Sequence, residues 1–125
     1  MSWFGGPNDH GVGPDEGLAL VNKSNFRRLK HYFLPKQPPG TTGLARRLNP
    51  HTFYIACRWD YHQTSPTYLV NHFVWVKNPK NKRTALAKPV DWGPNADTGR
   101  VADLSLGLLR FLGLQTDDTV EVTDA

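Results

Sequence analysis

The stretch "VDWGPNADTGRVADLS", Val90 to Ser105, decides how this chain is expected to fold. It follows a strand predicted over Thr84–Val90 and ends at a Ser that can cap a short helix over Leu106–Leu112, which Gly113 would end. The Gly, Pro and Asn residues between these elements predict a turn-rich connection. Asp91 and Asp103 lie twelve positions apart in it. The stretch therefore either presents a pair of catalytic carboxylates or is a loop with a purely structural role.

The rest of the chain reads as short strands joined by turns. Its 125 residues include 10 Pro and 11 Gly, spread along the whole length, which favours strands and turns over a helical bundle. Further strands are predicted at Trp3–Phe4, Gly17–Val21, Phe53–Trp59, Leu69–Val76 and Thr119–Thr123. Residues 77–83 predict a hairpin turn, and Trp75 is expected in the core. The segment Lys23–Leu34 has helical spacing but is stopped by Pro35.

Charge is distributed unevenly along the chain. The formal net charge is +4 and the sequence pI is about 9.4. The surplus of Lys and Arg lies between Lys23 and Arg58, whereas the C-terminus is acidic through Asp117, Asp118, Glu121 and Asp124. A positive excess favours anionic partners such as nucleic acid, acidic wall polymers or a membrane surface. It is equally typical of a solvated basic face with no partner.

Several kinds of site are excluded by what the sequence lacks. Cys57 is the only cysteine, so an internal disulfide and a cysteine-ligated metal site are excluded. The five His residues show no metal-binding spacing, and we expect neither a metal nor a cofactor. No window is apolar enough to span a membrane, so no membrane insertion is predicted. The N-terminal residues, "MSWFGGPNDHGVGPDEG", have neither the basic start nor the apolar run of a signal peptide.

Three blocks carry a resemblance to a known family. "VDWGPNADTGRVADLSLGLLRFLGL" resembles the most characteristic segment of the rare lipoprotein A family, in which an Asp-x-Gly-Pro turn leads through Gly-Arg-x-x-Asp-Leu-Ser into a short helix. "LNPHTFYIACRWD", Leu48 to Asp60, is similar to the family's NP-x-x-x-T-A-A-H-R strand, with Cys57 where the family has a groove His. "WFGGPND", Trp3 to Asp9, is similar to the opening of expansins. The blocks occur in the family's order and together contain 45 of the 125 residues.

The resemblance implies a mainly β fold: a six-stranded double-psi β-barrel with one or two short helices. It would form a single domain over residues 1–125, with a barrel core at about 48–123, an N-terminal strand near 1–21 and an insertion at 22–45. The family binds cell-wall polysaccharides in a groove across the barrel, and some members are lytic transglycosylases that cut peptidoglycan. The resemblance also implies a location in the cell envelope or outside the cell. Without a signal peptide, a phage particle, a lysis cassette or a specialised secretion system would deliver the domain.

The candidate catalytic residues are Asp91 and Asp103. Glycan cleavage needs an acid that keeps its proton near neutral pH, and an apolar setting raises the pKa of a carboxyl. Both residues also suit structural roles, Asp91 in a turn and Asp103 near a helix N-terminus. Side chains that would bind substrate by stacking, hydrogen bonding or charge are Trp92, Arg100, Cys57, Arg58, Trp59, Asp60 and Tyr61.

Three functions remain open from the sequence. The first is a peptidoglycan-cleaving enzyme that uses Asp91 or Asp103. The second is an expansin-like module that binds or loosens the wall without turnover, which Cys57 in place of the family's His favours. The third is a nucleic-acid-binding barrel, which the charge favours but for which no recognition motif is present. The sequence does not indicate an oligomeric state.

Overall fold

The computed structural model describes all residues, 1–125, and its central feature is one six-stranded mixed sheet. The strands are β1 (Ser2–Trp3), β2 (Tyr54–Cys57), β3 (Val74–Lys77), β4 (Thr84–Trp92), β5 (Ala102–Leu104) and β6 (Glu121–Asp124). The α-helices are α1 (Leu44–Arg47), α2 (Pro66–Asn71) and α3 (Leu106–Phe111), and two 3₁₀ helices cover Phe26–Tyr32 and Ala96–Thr98. The prediction of a mainly β chain with short helices is confirmed.

The sheet has the strand order β1-β5-β2-β4-β3-β6. β2 pairs in parallel with β4 and antiparallel with β5, and β1 pairs in parallel with β5. β3 pairs antiparallel with β4 and β6, so β1 and β6 are edges and the sheet is not closed. The segment before β6 nevertheless approaches the start of β1 at Met1. The Asp117 amide donates to the Met1 carbonyl at 2.6 Å, and the N-terminal ammonium donates to the Asp118 carbonyl at 3.3 Å.

Two hydrophobic cores lie on opposite faces of the central strands. Alternate residues of β2 point to opposite faces, so Tyr54 packs in one core and Ile55 in the other, both with no exposed surface. The first core also takes Leu29, Phe33 and Ala45 from the segment between β1 and β2, so this segment covers one face of the sheet. The second core is completed by α3. β2 is thus buried on both sides, which explains its continuous apolar sequence.

The helix after Ser105 and the hairpin between β3 and β4 form as the sequence predicts. The Ser105 hydroxyl accepts from the Leu108 amide at 3.3 Å, and Gly113 ends the helical segment at φ 69°. The inward side chains Leu108 and Leu112 are fully buried. None of the helices combines the length and the apolar character that a membrane span requires.

The strand predicted over Leu69–Val76 is wrong in its first half. Ser65 caps a helix there by accepting from the Tyr68 amide at 3.1 Å, and Pro66 occupies the first turn, where its missing N–H costs nothing. The expectation that Trp75 lies in the core is also wrong. β3 turns Val74 and Val76 inward, and Trp75 stays 43 % exposed on the outer face.

The strand predicted over Gly17–Val21 does not form, because its amides do not enter a ladder. Leu20 donates to the carbonyl of Val90 at 3.2 Å, but the neighbouring Ala19 amide donates to the side chain of Asp91 at 2.7 Å. This segment therefore crosses the end of β4 as extended coil. The carboxyl that accepts from the Ala19 amide, in place of a backbone carbonyl of β4, belongs to the candidate catalytic residue Asp91.

Candidate functional site

The sheet places Asp91 and Asp103 on either side of one residue of β2. Ala56 is the register partner of Asp91 in β4 and of Asp103 in β5. The register shifts between Ile55 and Ala56, which makes Asp91 rather than Val90 the partner of Ala56. Register partners lie on the same face of a sheet, and two strand spacings separate the two Asp backbones by about 10 Å. The carboxylates therefore share a face but are not neighbours.

Backbone amides fix the orientation of the Asp91 carboxyl. Its Oδ1 accepts from the Ala19 amide at 2.7 Å and from the Trp92 amide at 2.9 Å. Its Oδ2 has no hydrogen-bond partner in the protein, and because this atom is not buried it is in contact with solvent. One oxygen anchors the group, and the other is presented outward.

Burial raises the pKa of Asp91 above its ordinary value. The two amide hydrogen bonds act in the opposite direction, and the nearby charge of Glu16 adds to the rise. Because Oδ1 is occupied by two donors, a proton retained by this carboxyl resides on Oδ2. The outward oxygen is thus the one that can give or take a proton.

Two Trp side chains are held in place by hydrogen bonds to backbone carbonyls near the end of β4. The Trp59 indole donates to the Asp91 carbonyl at 2.9 Å, and the Trp92 indole donates to the Trp59 carbonyl at 2.8 Å. Trp92 remains 41 % exposed, with the Arg58 guanidinium 6.0 Å from its ring centroid. The two indoles therefore form a rigid aromatic surface at the end of β4; Trp92 is the register partner of Cys57, so its ring leaves the sheet on the face opposite to the Asp91 carboxyl.

Tyr61 connects this surface to a polar cavity. Burial raises the pKa of Tyr61, and the Asp91 charge raises it further. Tyr61 also lines a cavity of about 510 Å³. The other lining residues are His62, Gln63, Thr64, Ser65, Tyr68 and Asp124. Asp60 is exposed, and its Oδ1 accepts from the His62 amide at 3.0 Å, which orders the loop at the cavity. We call Glu16, Trp59, Tyr61, Asp91 and Trp92 the Asp91 surface.

Asp103 has a different environment from Asp91. Its Oδ1 lies 3.4 Å from Nε of Arg100, and both atoms are buried without being aligned for a hydrogen bond. Burial raises the pKa of Asp103, while Arg100, the Ser2 amide and the N-terminal ammonium lower it. None of these groups belongs to the Asp91 surface. Arg100 and Asp103 thus form an ion pair of their own, with the Asp103 side chain 14 % exposed.

Cys57 points into the second core rather than toward either carboxyl. It follows Ala56 along β2 and therefore faces the opposite side of the sheet, where it is 9 % exposed. Burial, with a smaller contribution from the Asp103 charge, raises the pKa of the thiol to about 12. The sulfur is protonated at neutral pH and packs as a small apolar side chain.

Sequence reasoning missed two members of this site, Glu16 and the Ala19 amide. Both lie in a Gly- and Pro-rich segment more than seventy positions before Asp91, and no local pattern marks them. No group of three or more His, Cys, Asp or Glu side chains is placed to hold a metal ion. Neither a protein-family model nor a curated protein sequence matches this chain.

Proposed function

We propose that this chain binds a cell-wall polysaccharide of the peptidoglycan type along the Asp91 surface and cleaves it with Asp91 as the acid. One observation carries the proposal: a partly buried carboxyl of raised pKa leaves one oxygen open to solvent at the end of β4, the strand whose last residue is the exposed Trp92. The three blocks that resemble the rare lipoprotein A family support the same function.

The aromatic side chains supply the binding part of this proposal. Sugar rings present C–H groups on their faces and hydroxyls at their edges, so they bind where an aromatic plane lies next to polar groups. Trp92 provides such a plane, and the hydrogen bond from its indole to the Trp59 carbonyl holds it without further loss of side-chain entropy. The polar cavity that Tyr61 also lines, of about 510 Å³, offers space for a further sugar residue.

The cleavage step needs only one carboxyl. Asp91 transfers the proton on Oδ2 to the glycosidic oxygen while the bond from that oxygen to C1 breaks. The C6 hydroxyl of the same sugar then attacks C1 and returns its proton to Asp91, which leaves a 1,6-anhydro end. Hydrolysis with inversion would need a second carboxylate facing the same water, and Asp103 is engaged with Arg100. The arrangement therefore favours a lytic transglycosylase over a hydrolase.

We also propose that the open sheet belongs to a double-psi β-barrel. The two parallel pairs, β1 with β5 and β2 with β4, are consistent with the pseudo-symmetric crossings of that fold. The hydrogen bonds of Met1 with Asp117 and Asp118 bring the free edges together and support a ring that is nearly complete.

A non-catalytic, expansin-like module is the second candidate function. Two amide donors on Oδ1 of Asp91 favour the ionised carboxylate, which is the form that binds hydroxyls but does not protonate an oxygen. The protonated thiol of Cys57, which stands where the related family has a groove His, cannot assist a proton transfer.

The test uses purified peptidoglycan, which is incubated with the parent protein and with Asp91→Asn. Wall binding is measured by co-sedimentation, and new 1,6-anhydro ends are measured by mass spectrometry. Trp92→Ala is compared with Trp75→Ala, since the two side chains are 41 % and 43 % exposed and only Trp92 adjoins Asp91.

We expect anhydro ends from the parent and none from Asp91→Asn. We expect weaker binding for Trp92→Ala and unchanged binding for Trp75→Ala. Binding without new ends would leave the expansin-like module as the function. If the parent does not bind the wall at all, both candidates fail.

A further inference from the structure

One segment of the chain holds a concentrated and unpaired positive charge. Residues 22–47, which contain the 3₁₀ helix Phe26–Tyr32 and α1, have seven of the 15 Lys and Arg and none of the 11 Asp and Glu. These are Lys23, Arg27, Arg28, Lys30, Lys36, Arg46 and Arg47. Both salt bridges of the protein lie outside this segment, which we call the basic lobe. Its charge is therefore available to an anionic partner.

The basic lobe contains an open cavity of about 580 Å³. Phe26 and Leu44 form its apolar wall, and Lys23 and Arg47 contribute cations. Asn22 completes the lining with an amide. An apolar wall with a few convergent polar groups is the usual composition of a ligand site. A ligand that fits this composition combines a ring or another apolar part with a negative charge.

Arg47 is held in place before any ligand arrives. Its Nε donates to the Leu34 carbonyl at 3.0 Å and its Nη2 donates to the Pro35 carbonyl at 2.8 Å. Its guanidinium lies 5.1 Å from the centroid of the Phe26 ring. Two of the five N–H groups are used, so the remaining donors are available to an anion at little cost in side-chain entropy.

We propose that the basic lobe binds single-stranded nucleic acid, with one base in this cavity and the phosphates on the surrounding cations. A strand carries a phosphate at every nucleotide, which suits seven cations spread over the lobe better than a ligand with one charge. Guanidinium planes and apolar side chains are common stacking partners for unpaired bases, and Arg47 and Leu44 provide both.

An anionic membrane fits the lobe less well. Lipid binding by a basic surface is strengthened by large apolar side chains that enter the bilayer. The exposed large hydrophobic residues of this protein lie outside residues 22–47, although Phe73 and Leu86 each line a cavity together with residues of the lobe; they are Tyr61, Tyr68, Phe73, Trp75, Leu86, Trp92, Val101 and Phe111. The lobe therefore has charge and a cavity, but none of its own residues is an exposed apolar anchor.

The test measures the binding of a short fluorescein-labelled oligothymidylate by fluorescence anisotropy at about 50 and 200 mM NaCl. We expect affinity to fall with salt, and we expect Lys23→Gln to reduce the slope of log affinity against log salt by about 0.7. Lys80→Gln is the matched control, since the Lys80 side chain is 79 % exposed and lies outside the lobe. Leu44→Gln removes one of the two apolar residues of the wall and should weaken binding about tenfold. Circular dichroism confirms that each variant is folded.

Three results would overturn the proposal. Equal losses for Lys23→Gln and Lys80→Gln would show attraction to net charge without a site. Equal affinity for a DNA duplex of the same length would show that no unpaired base enters the cavity. Stronger binding to phosphatidylglycerol vesicles than to the oligonucleotide would assign the lobe to a membrane surface. None of these measurements involves the Asp91 surface, so the outcome is independent of the glycan assay.

Discussion

Gly5 occupies a position in which any side chain would disrupt the first core. Its φ of +83° is in the left-handed region, and a Cβ there would lie 2.6 Å from Oη of Tyr54 and 2.7 Å from Cδ1 of Leu48. Both side chains have no exposed surface, so neither can move aside into solvent. The Tyr54 hydroxyl also donates to the Phe4 carbonyl at 2.8 Å, and the ring packs edge-on against Phe4 at 5.1 Å.

The cost of Gly5→Ala follows from three contributions. A left-handed conformation costs an L-residue about 1–2 kcal/mol. Overpacking against two immobile side chains adds about 1–3 kcal/mol. Displacing the Tyr54 hydroxyl from the Phe4 carbonyl adds about 1 kcal/mol. We therefore expect Gly5→Ala to lower the free energy of unfolding by about 4 kcal/mol, a large part of the stability of a domain of this size.

Gly40→Ala separates the packing cost from the backbone cost. Gly40 has a φ of +76°, close to that of Gly5, but no atom lies within 4 Å of the position of its Cβ. We expect this variant to lose only the backbone contribution, about 1–2 kcal/mol. Both free energies are measured by urea unfolding followed by Trp fluorescence. A difference of less than about 1 kcal/mol between the two variants would refute the packing of Gly5 against Tyr54 and Leu48.

Three further predictions concern titratable groups. Folding raises the pKa of Asp91 above its ordinary value of 3.8, so ionising this carboxyl lowers the free energy of unfolding above the folded pKa and has no effect below pH 3.8. Asp91→Asn should therefore be at least as resistant to urea as the parent at pH 7 and should lose that advantage in acid. An Asn variant that is less stable than the parent at pH 7 would contradict this. Lys88 is 5 % exposed and donates to the carbonyls of Val70 and His72 at 3.1 and 3.0 Å, so Lys88→Met should lose about 1–3 kcal/mol. Desolvation lowers the pKa of Lys88, so the free energy of unfolding of the parent should increase as pH rises toward 10.5. A free energy of unfolding that does not change with pH in this range, or a Met variant as stable as the parent, would argue against a buried ammonium. Cys57, with its thiol pKa near 12, should react with a thiol reagent only as fast as the protein unfolds, and rapid labelling of the folded protein would show that the thiol is accessible.

The sequence predicted the elements whose signals are local. Ser105 and Gly113 mark both ends of α3, because a cap and a left-handed residue act within one turn of the helix. The Asn- and Pro-rich residues 78–81 mark the turn between β3 and β4 for the same reason. The error at α2 had a local signal too, since Ser65 and Pro66 are a cap and a first-turn proline. The apolar run that follows them favours a strand by its length, and this opposing signal is also local.

The site depended on contacts that no local pattern contains. Asp91 and Asp103 are twelve residues apart in the chain, yet their relation is set by β2, which pairs with both strands and whose register shift turns Asp91 to the face of Ala56. Glu16 and the Ala19 amide reach Asp91 from the other end of the chain.

The sequence by itself determined the β-rich class, the capped helix, the uneven charge and the identity of the acidic and aromatic side chains near the end of β4. Only the tertiary structure decided that Asp91 turns one oxygen to solvent while Asp103 pairs with Arg100. It also decided that the Trp92 indole is fixed by the Trp59 carbonyl, while the Trp59 indole is fixed by the Asp91 carbonyl. The physical reason is that the environment of a carboxyl depends on which amides and charges surround it, and strands distant in sequence supply them.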